Sequence, residues 1–435
     1  MRRIYLFYGI GLAFVCTISC AQVIGIEDLP EIAPRDAAVL DSPRLEDARP
    51  PPSGSEPDAE SDASIVLIDA SPKPIPPNRF PFDVAHLHQD DAWTGTATLT
   101  LVQGDIIDTS NLTVANTTYD GTEGDAIVFQ PLSQLGGETE IAVLHVGSLT
   151  VNGGTVRASG HRPLVILAKT IRLTGLLDGS AAYTTPGAGG ESPGQGPGAG
   201  SIGSSTEYYD GGGGGGSFGQ TGGMGGSLGT DDSFPGLPGQ TYGTPELFVL
   251  QGGSGGGEGF IGSSICSNAL GGAGGGAIQL SAAQSINIES GGGILSSGGG
   301  GAGGIQCDED GRNGAGAGGG SGGAIYLQAP AVVHTGILAA NGGGGGGGSS
   351  RDGASNAGSN GVPSEERANG GQETGTFGGP GGCGGSRQGD PCDGENSHIN
   401  SGGGGGGAGR IVIVSAPGGF SSEGTLSPNA IVLSE

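Results

Sequence analysis

Cations are scarce in this chain: 16 lysines and arginines stand against 43 aspartates and glutamates, a formal net charge of -27 over 435 residues. A surface so poor in positive charge repels phosphate backbones, which excludes nucleic acid as a partner. Tryptophan occurs once. The one marked hydrophobic run, Ile4 to Val15, is too short to span a bilayer comfortably. There is no Cys-x-x-Cys pair, so a structural zinc site is not indicated. The acidic clusters Asp308-Glu309-Asp310-Gly311-Arg312-Asn313-Gly314 and Asp390, Asp393, Glu395 fit neither the EF-hand spacing nor a calcium-binding nonapeptide repeat. They read as solvated turns, where Asp and Asn are common. His86 and His88, two apart, would face one side of a strand, but a third metal ligand is not evident. No metal site and no cofactor are therefore assigned.

What the chain has in excess is glycine, 100 residues of it, where ordinary globular usage is about 7%. Most of the excess lies between Gly187 and Gly409. Runs such as Gly211–Gly216 and Gly342–Gly348 cannot hold a helix, because each glycine costs about 1 kcal/mol relative to alanine. They lack the strict three-residue period of collagen. Matches to Gly-x-Gly-x-x-Gly arise by chance in such a composition and lack a strand-to-helix context or a P-loop lysine. Two readings remain for the runs. One is flexible surface loops, favoured by the entropy of ordering glycine. The other is a packed layer of extended, polyproline-II-like segments whose backbones approach and bond to one another.

The first twenty residues read as an export signal. Arg2 and Arg3 supply the positive start, and Thr17-Ile18-Ser19-Cys20 resembles a lipoprotein processing site, although Thr17 stands where leucine is usual. Cys20 is then the lipid anchor and the new N-terminus, and the membrane is a partner through that lipid. Residues 21–81 read as an extended, acidic tether. Pro50-Pro51-Pro52 and Pro72-Lys73-Pro74-Ile75-Pro76-Pro77 bar helix and central strand. The island Ile65-Val66-Leu67-Ile68 could form a stray strand.

From residue 82 to 435 the pattern is β. Four segments, Ala142–Ser159, Leu164–Ser180, Ala277–Ser297 and Ala324–Asn341, share one plan. Each opens on an aliphatic strand, such as Val165-Ile166-Leu167 or Ile278-Gln279-Leu280. A second strand follows with apolar residues two apart: Leu149/Val151, Ile171/Leu173, Ile286/Ile288 and Val332/His334. A Gly or Ser turn then leads to a third aliphatic pair such as Leu176-Leu177 or Ile337-Leu338. A partial fifth copy begins at Arg410-Ile411-Val412-Ile413-Val414. Three short strands per unit predict an all-β fold, a parallel β-helix-like solenoid whose stacked coils share one core. His334 occupies a slot that is aliphatic elsewhere; it points inward unless a one-residue slip buries Val333 instead. The excess residues always follow the third strand, at about 179–276, 298–323 and 342–409. Long glycine-rich insertions should therefore lie on one face, which repeat proteins commonly use for interaction. Tyr208, Tyr209, Phe218, Phe234, Phe260 and Phe377 could anchor that face or meet a ligand.

With Cys16 and Cys20 assigned to the signal and anchor, Cys266, Cys307, Cys383 and Cys392 remain. An even number in an exported chain reads as two disulfides with three possible connectivities. The short separation of Cys383 and Cys392 favours a small ring, which would leave Cys266 and Cys307 to join the first insertion to the second.

The run Gly25-Ile26-Glu27-Asp28-Leu29-Pro30 resembles the start of lipoproteins of myxobacterial type. Gly322-Gly323-Ala324-Ile325-Tyr326-Leu327-Gln328-Ala329-Pro330, followed by Gly336-Ile337-Leu338-Ala339-Ala340-Asn341-Gly342, is similar to glycine-rich β-solenoid proteins of bacterial surfaces. The resemblance implies that fold and an outer-membrane or cell-surface location, and it brings no catalytic residues. No Ser-His-Asp or paired-carboxylate arrangement can be placed on adjacent coils; Arg157, Lys169 and Arg172 are among the few charges of the first two units. The expected function is a membrane-anchored surface structural or adhesion protein without catalysis, contacting a glycan or a surface protein. The alternative is a polysaccharide-acting β-helix enzyme.

Overall fold

A computed structural model describes residues 78–435 apart from 138, 207–208, 228–233, 264, 308–311, 351–352 and 376. The signal, Cys20, the Ile65–Ile68 island and the tether up to residue 77 lie outside the described residues. Residues 78–81, assigned to the tether by composition, belong instead to the folded body. Arg79 bridges Trp93, and Phe80 is buried against the sheet described below.

Alternation of Thr with Leu makes β1 (Thr98–Val102) a half-buried strand, with Leu99 and Leu101 inward. It is followed by β2 (Ile106–Asp108), β3 (Thr113–Val114), β4 (Thr117–Thr118), β5 (Ile127–Ser133), β6 (Glu140–Val146), β7 (Ser148–Asn152) and β8 (Thr155–Ser159). Next come β9 (Leu164–Leu173), β10 (Leu176–Asp178), β11 (Ser205–Thr206), β12 (Tyr209–Asp210), β13 (Ala277–Ile288) and β14 (Gly293–Leu295). The chain ends with β15 (Gln306–Cys307), β16 (Arg312–Asn313), β17 (Ala324–Gln328), β18 (Ala331–His334), β19 (Ile337–Ala339), β20 (Arg410–Ser415), β21 (Phe420–Ser422), β22 (Thr425–Ser427) and β23 (Ala430–Ser434). The only helix among the described residues is the 3-10 turn Gln89–Asp91.

The protein is all-β, and parallel pairing dominates. Three series of strands stack in register. The first runs β6, β9, β13, β17, β20, β23; the second β1, β7, β9, β13, β18, β21; the third β2, β8, β10, β14, β19, β22. The second and third units depart from the expected three separate strands. There the first two run on as continuous β9 and β13, and the register shifts between Ala282 and Ser285. The first two series therefore lie in one 11-stranded sheet, and the third, with β3 and β4, forms an 8-stranded sheet.

Register brings like residues together. Leu99, Leu149, Ile171, Ile286, Val332 and Phe420 form one ladder, and Val156, Leu177, Ile294, Leu338 and Leu426 another. With Leu144, Ile166, Leu280, Leu327 and Ile413 they make one continuous core. Each fully buried Val, Leu or Ile stabilises it by roughly 1.5–3 kcal/mol. The first series is buried on its outer face too. Val143, Val165, Tyr326 and Val412 are covered there by Phe80, Val84, Leu87, Leu247 and Leu250. That double burial explains why the opening strand of each unit is apolar at nearly every position. Antiparallel β5 on β6, and β3 and β4 beside β2, flank the first strands of the stacks.

Candidate functional site

The three glycine-rich insertions leave the third series after β10, β14 and β19 and return to the first series at β13, β17 and β20. Their exits are bonded to one another, Ala181 N–H donating to Ser297 and Gly298 N–H to Asn341. The insertions are not loose loops. The entropy argument is overturned because their backbones form a mutually bonded bundle.

The run from Gly342 to Ser349 displays the rule. Gly342, Gly345 and Gly348 donate to the carbonyls of Gly385, Gly382 and Gly379. Gly343, Gly346 and Ser349 donate to Gly320, Ala317 and Gly314, and Gly344 and Gly347 to Ser359 and Asn356. Donors thus rotate through three neighbours with a three-residue period, and none bonds within its own run. These are the marks of a polyproline-II-type rod. Side chains would block it: a Cβ on Gly345 would run into the Gly403 carbonyl, and one on Gly403 into that of Ala317. At the centre, one rod from each insertion joins a cycle. Gly213 donates to Gly316 at 2.9 Å, Gly316 to Ser401 at 2.9 Å, and Gly404 to Gly213 at 2.9 Å. These central rods are buried throughout. Every N–H buried there needs a partner, and only the neighbouring rods supply one.

Two disulfides tie the rods. Cys266 bonds Cys307 (Cα–Cα 6.0 Å) and joins the first insertion to the second. Cys383 bonds Cys392 (Cα–Cα 4.8 Å) within the third. The turns between rods meet through the bridges Ser204–Phe234, Asp210–Asn400 and Gly378–Asn400. Phe234 and Phe377 are exposed there, Phe260 is half-buried, and Phe218 is wholly buried under Tyr242 and the Arg410 guanidinium. Tyr208 lies outside the described residues, and Tyr209 falls in β12.

Three buried histidines, His86, His145 and His334, are structural. His86 is not on a strand. It has φ 67° and packs inside, with Nδ1 2.6 Å from Gln279 Oε1 and Nε2 2.5 Å from the Leu247 carbonyl. Burial pushes its pKa down, opposed by these two bonds. His88, by contrast, is exposed, so the two do not form a ligand pair. His334 points inward in register with Ile288, and Val333 is exposed. Its ladder turns polar at that end, where Nδ1 meets Ser422 Oγ at 2.9 Å. His145 stacks on Trp93, donates from Nδ1 to the Trp93 carbonyl and faces Gln130 Nε2 with Nε2. Burial lowers its pKa to about 4.

Of the acidic clusters, 308–311 lies outside the described residues, and Asp393 accepts from the Met224 N–H. Among the described residues, no three His, Cys, Asp or Glu side chains gather to hold a metal ion. Nor is any helix there long and apolar enough to cross a membrane.

One feature escaped sequence reasoning. A cleft of about 560 Å³ opens between the corner after β8 and the start of the first insertion. Ser110, Ser159, His161, Glu191, Tyr242 and Gln251 are among its lining residues. No local pattern announces it, because its lining is gathered from several short stretches between Ser110 and Gly252.

Against known proteins, the chain matches no family model, no curated protein and no solved structure.

Proposed function

We propose that the chain is an exported surface lipoprotein, anchored through Cys20, in which a parallel β-solenoid carries a rigid glycine-rod bundle that makes adhesive contacts without catalysis. The solenoid reading rests on the three in-register stacks, with all insertions joining the third series to the first. The location reading rests on the signal-like first twenty residues and on two disulfides, which persist in oxidising compartments. The partner is a glycan or a surface protein. The single observation that carries the function is the order of the bundle. Aligning so much glycine is entropically costly, and a purely passive spacer needs no such order. A pre-organised face, in contrast, loses little further freedom on binding. The resemblance to glycine-rich surface lipoproteins of myxobacterial type points the same way.

The test is made in cells expressing the wild type or Cys20→Ala. The wild type should fractionate with membranes, be cut by protease added to intact cells, and raise adhesion to glycan-coated surfaces. Cys20→Ala should move to the soluble fraction and abolish the gain. Equal fractionation of both proteins would reject the anchor, and unchanged adhesion would reject the binding role. Release of reducing sugar from a polysaccharide would replace this reading with the enzymatic one.

A further inference from the structure

The cleft between the strand stacks and the first glycine insertion differs from the rest of the surface in its chemistry. Its volume, about 560 Å³, falls within the range of small-ligand sites, roughly 300–1,000 Å³. One wall is a β corner held in place by Arg162, whose guanidinium donates to the carbonyls of Thr109 (3.1 Å) and Ser110 (3.2 Å) and to Glu140 (3.0 Å). On that corner, Ser110 Oγ accepts from the His161 N–H at 3.0 Å and lies 2.9 Å from its Nδ1. The imidazole is thereby oriented, and Nε2 is left for a further bond. The opposite wall is the rod carrying Glu191, whose N–H donates to Gly253 and whose carbonyl accepts from Gly274. Tyr242 also lines the cleft. Its hydroxyl is already engaged by the Gly252 carbonyl (2.6 Å) and Ser254 Oγ (3.0 Å). What it can offer a ligand is therefore the ring.

Those walls mix hydroxyl, imidazole, carboxylate and amide groups with proline and aromatic surface. Glu191 is the one formally charged side chain of the lining, and no lysine or arginine joins it. A phosphate or carboxylate ligand would lack a cationic clamp, and a purely apolar ligand would strand the polar groups. We propose that this cleft binds a neutral saccharide unit, its hydroxyls meeting Ser110, His161, Glu191 and Gln251 and its C–H face lying against Tyr242. The inference rests on the adhesive reading above and assigns that reading a ligand class and a location.

The experiment uses the full chain in detergent, screened on an array of neutral and acidic oligosaccharides. The best neutral binder is then titrated by calorimetry into the wild type, Thr185→Trp, Glu191→Gln and Phe234→Ala. Thr185 is an exposed residue lining the cleft, so tryptophan there fills the space. The expected result is binding weakened at least tenfold by Thr185→Trp and threefold to tenfold by Glu191→Gln, with Phe234→Ala like the wild type and all melting temperatures alike. Glu191→Gln keeps the test open should Thr185→Trp fold poorly. Wild-type affinity in Glu191→Gln, or in a folded Thr185→Trp, overturns the proposal, as does an array that reports acidic sugars only. Binding lost in Phe234→Ala alone would move the contact to the rod turns, overturning the cleft while sparing the adhesive role. No saccharide binding, with cell adhesion intact, would likewise remove the cleft but not that role.

Discussion

Gly345 shows what a single methyl group means in this molecule. Its Cα lies against the backbone of a neighbouring rod, so an added Cβ meets the Gly403 carbonyl and no flexible side chain can yield. Overpacking a tight interior costs about 1–3 kcal/mol. Gly345→Ala should therefore lower the thermal midpoint clearly. Gly314→Ala should lower it less, since its new methyl meets nothing nearer than Ile261 Cβ, at 3.2 Å. Paired melting curves decide, and equal midpoints would show that the rods are loosely packed. A second residue-scale prediction concerns His145. Its ordinary pKa is near 6.5, and burial lowers it to about 4 in the folded chain. The unfolded chain thus binds more protons between those values, so stability is full above pH 6.5 and falls as pH drops toward 4. The loss amounts to roughly 3 kcal/mol at most. Denaturant titrations from pH 7 to 4 should show that slope, and His145→Phe should flatten it. The inward setting of His334 was legible from its slot in the repeat. The setting of His86 was not, because its partners Gln279 and Leu247 lie far along the chain.

At the scale of elements, strands and rods differ in how they declare themselves. Strands such as β1 and β7 alternate apolar and polar residues, and that alternation reaches the reader of a sequence directly. The rods have no side chains to alternate. Their three-residue period exists only as a rotation of hydrogen-bond partners, and a rod standing alone has no internal bonds to hold it. Order therefore depends on neighbours, and cross-links between rods should matter in proportion to the chain they close. The Cys266–Cys307 bond spans 41 residues and the Cys383–Cys392 bond 9. Chain-entropy reasoning assigns them about 4 and about 3 kcal/mol. Replacing the first pair by serine should open the bundle to protease at lower temperature than replacing the second. Identical digestion profiles would show that the rods hold without the longer staple.

On the scale of the whole molecule, one set of strands supports two unlike interiors. Aliphatic ladders form the first, and bare backbone forms the second. The sequence by itself determined the β character, the unit boundaries, the inward residues of each unit and the points where insertions depart. All of these follow from local periodicity and from the steric demands of Val, Ile, Leu and Gly. Only the tertiary structure decided that the first two strands of a unit run together in one sheet. It alone decided that residues 78–93 cover that sheet's outer face, that glycine runs become rods, and that a cleft opens beside Glu191. The physical reason is the same in each case. Those features depend on which distant backbone group satisfies a buried N–H or fills a gap, and a residue's identity does not encode its partner across the fold.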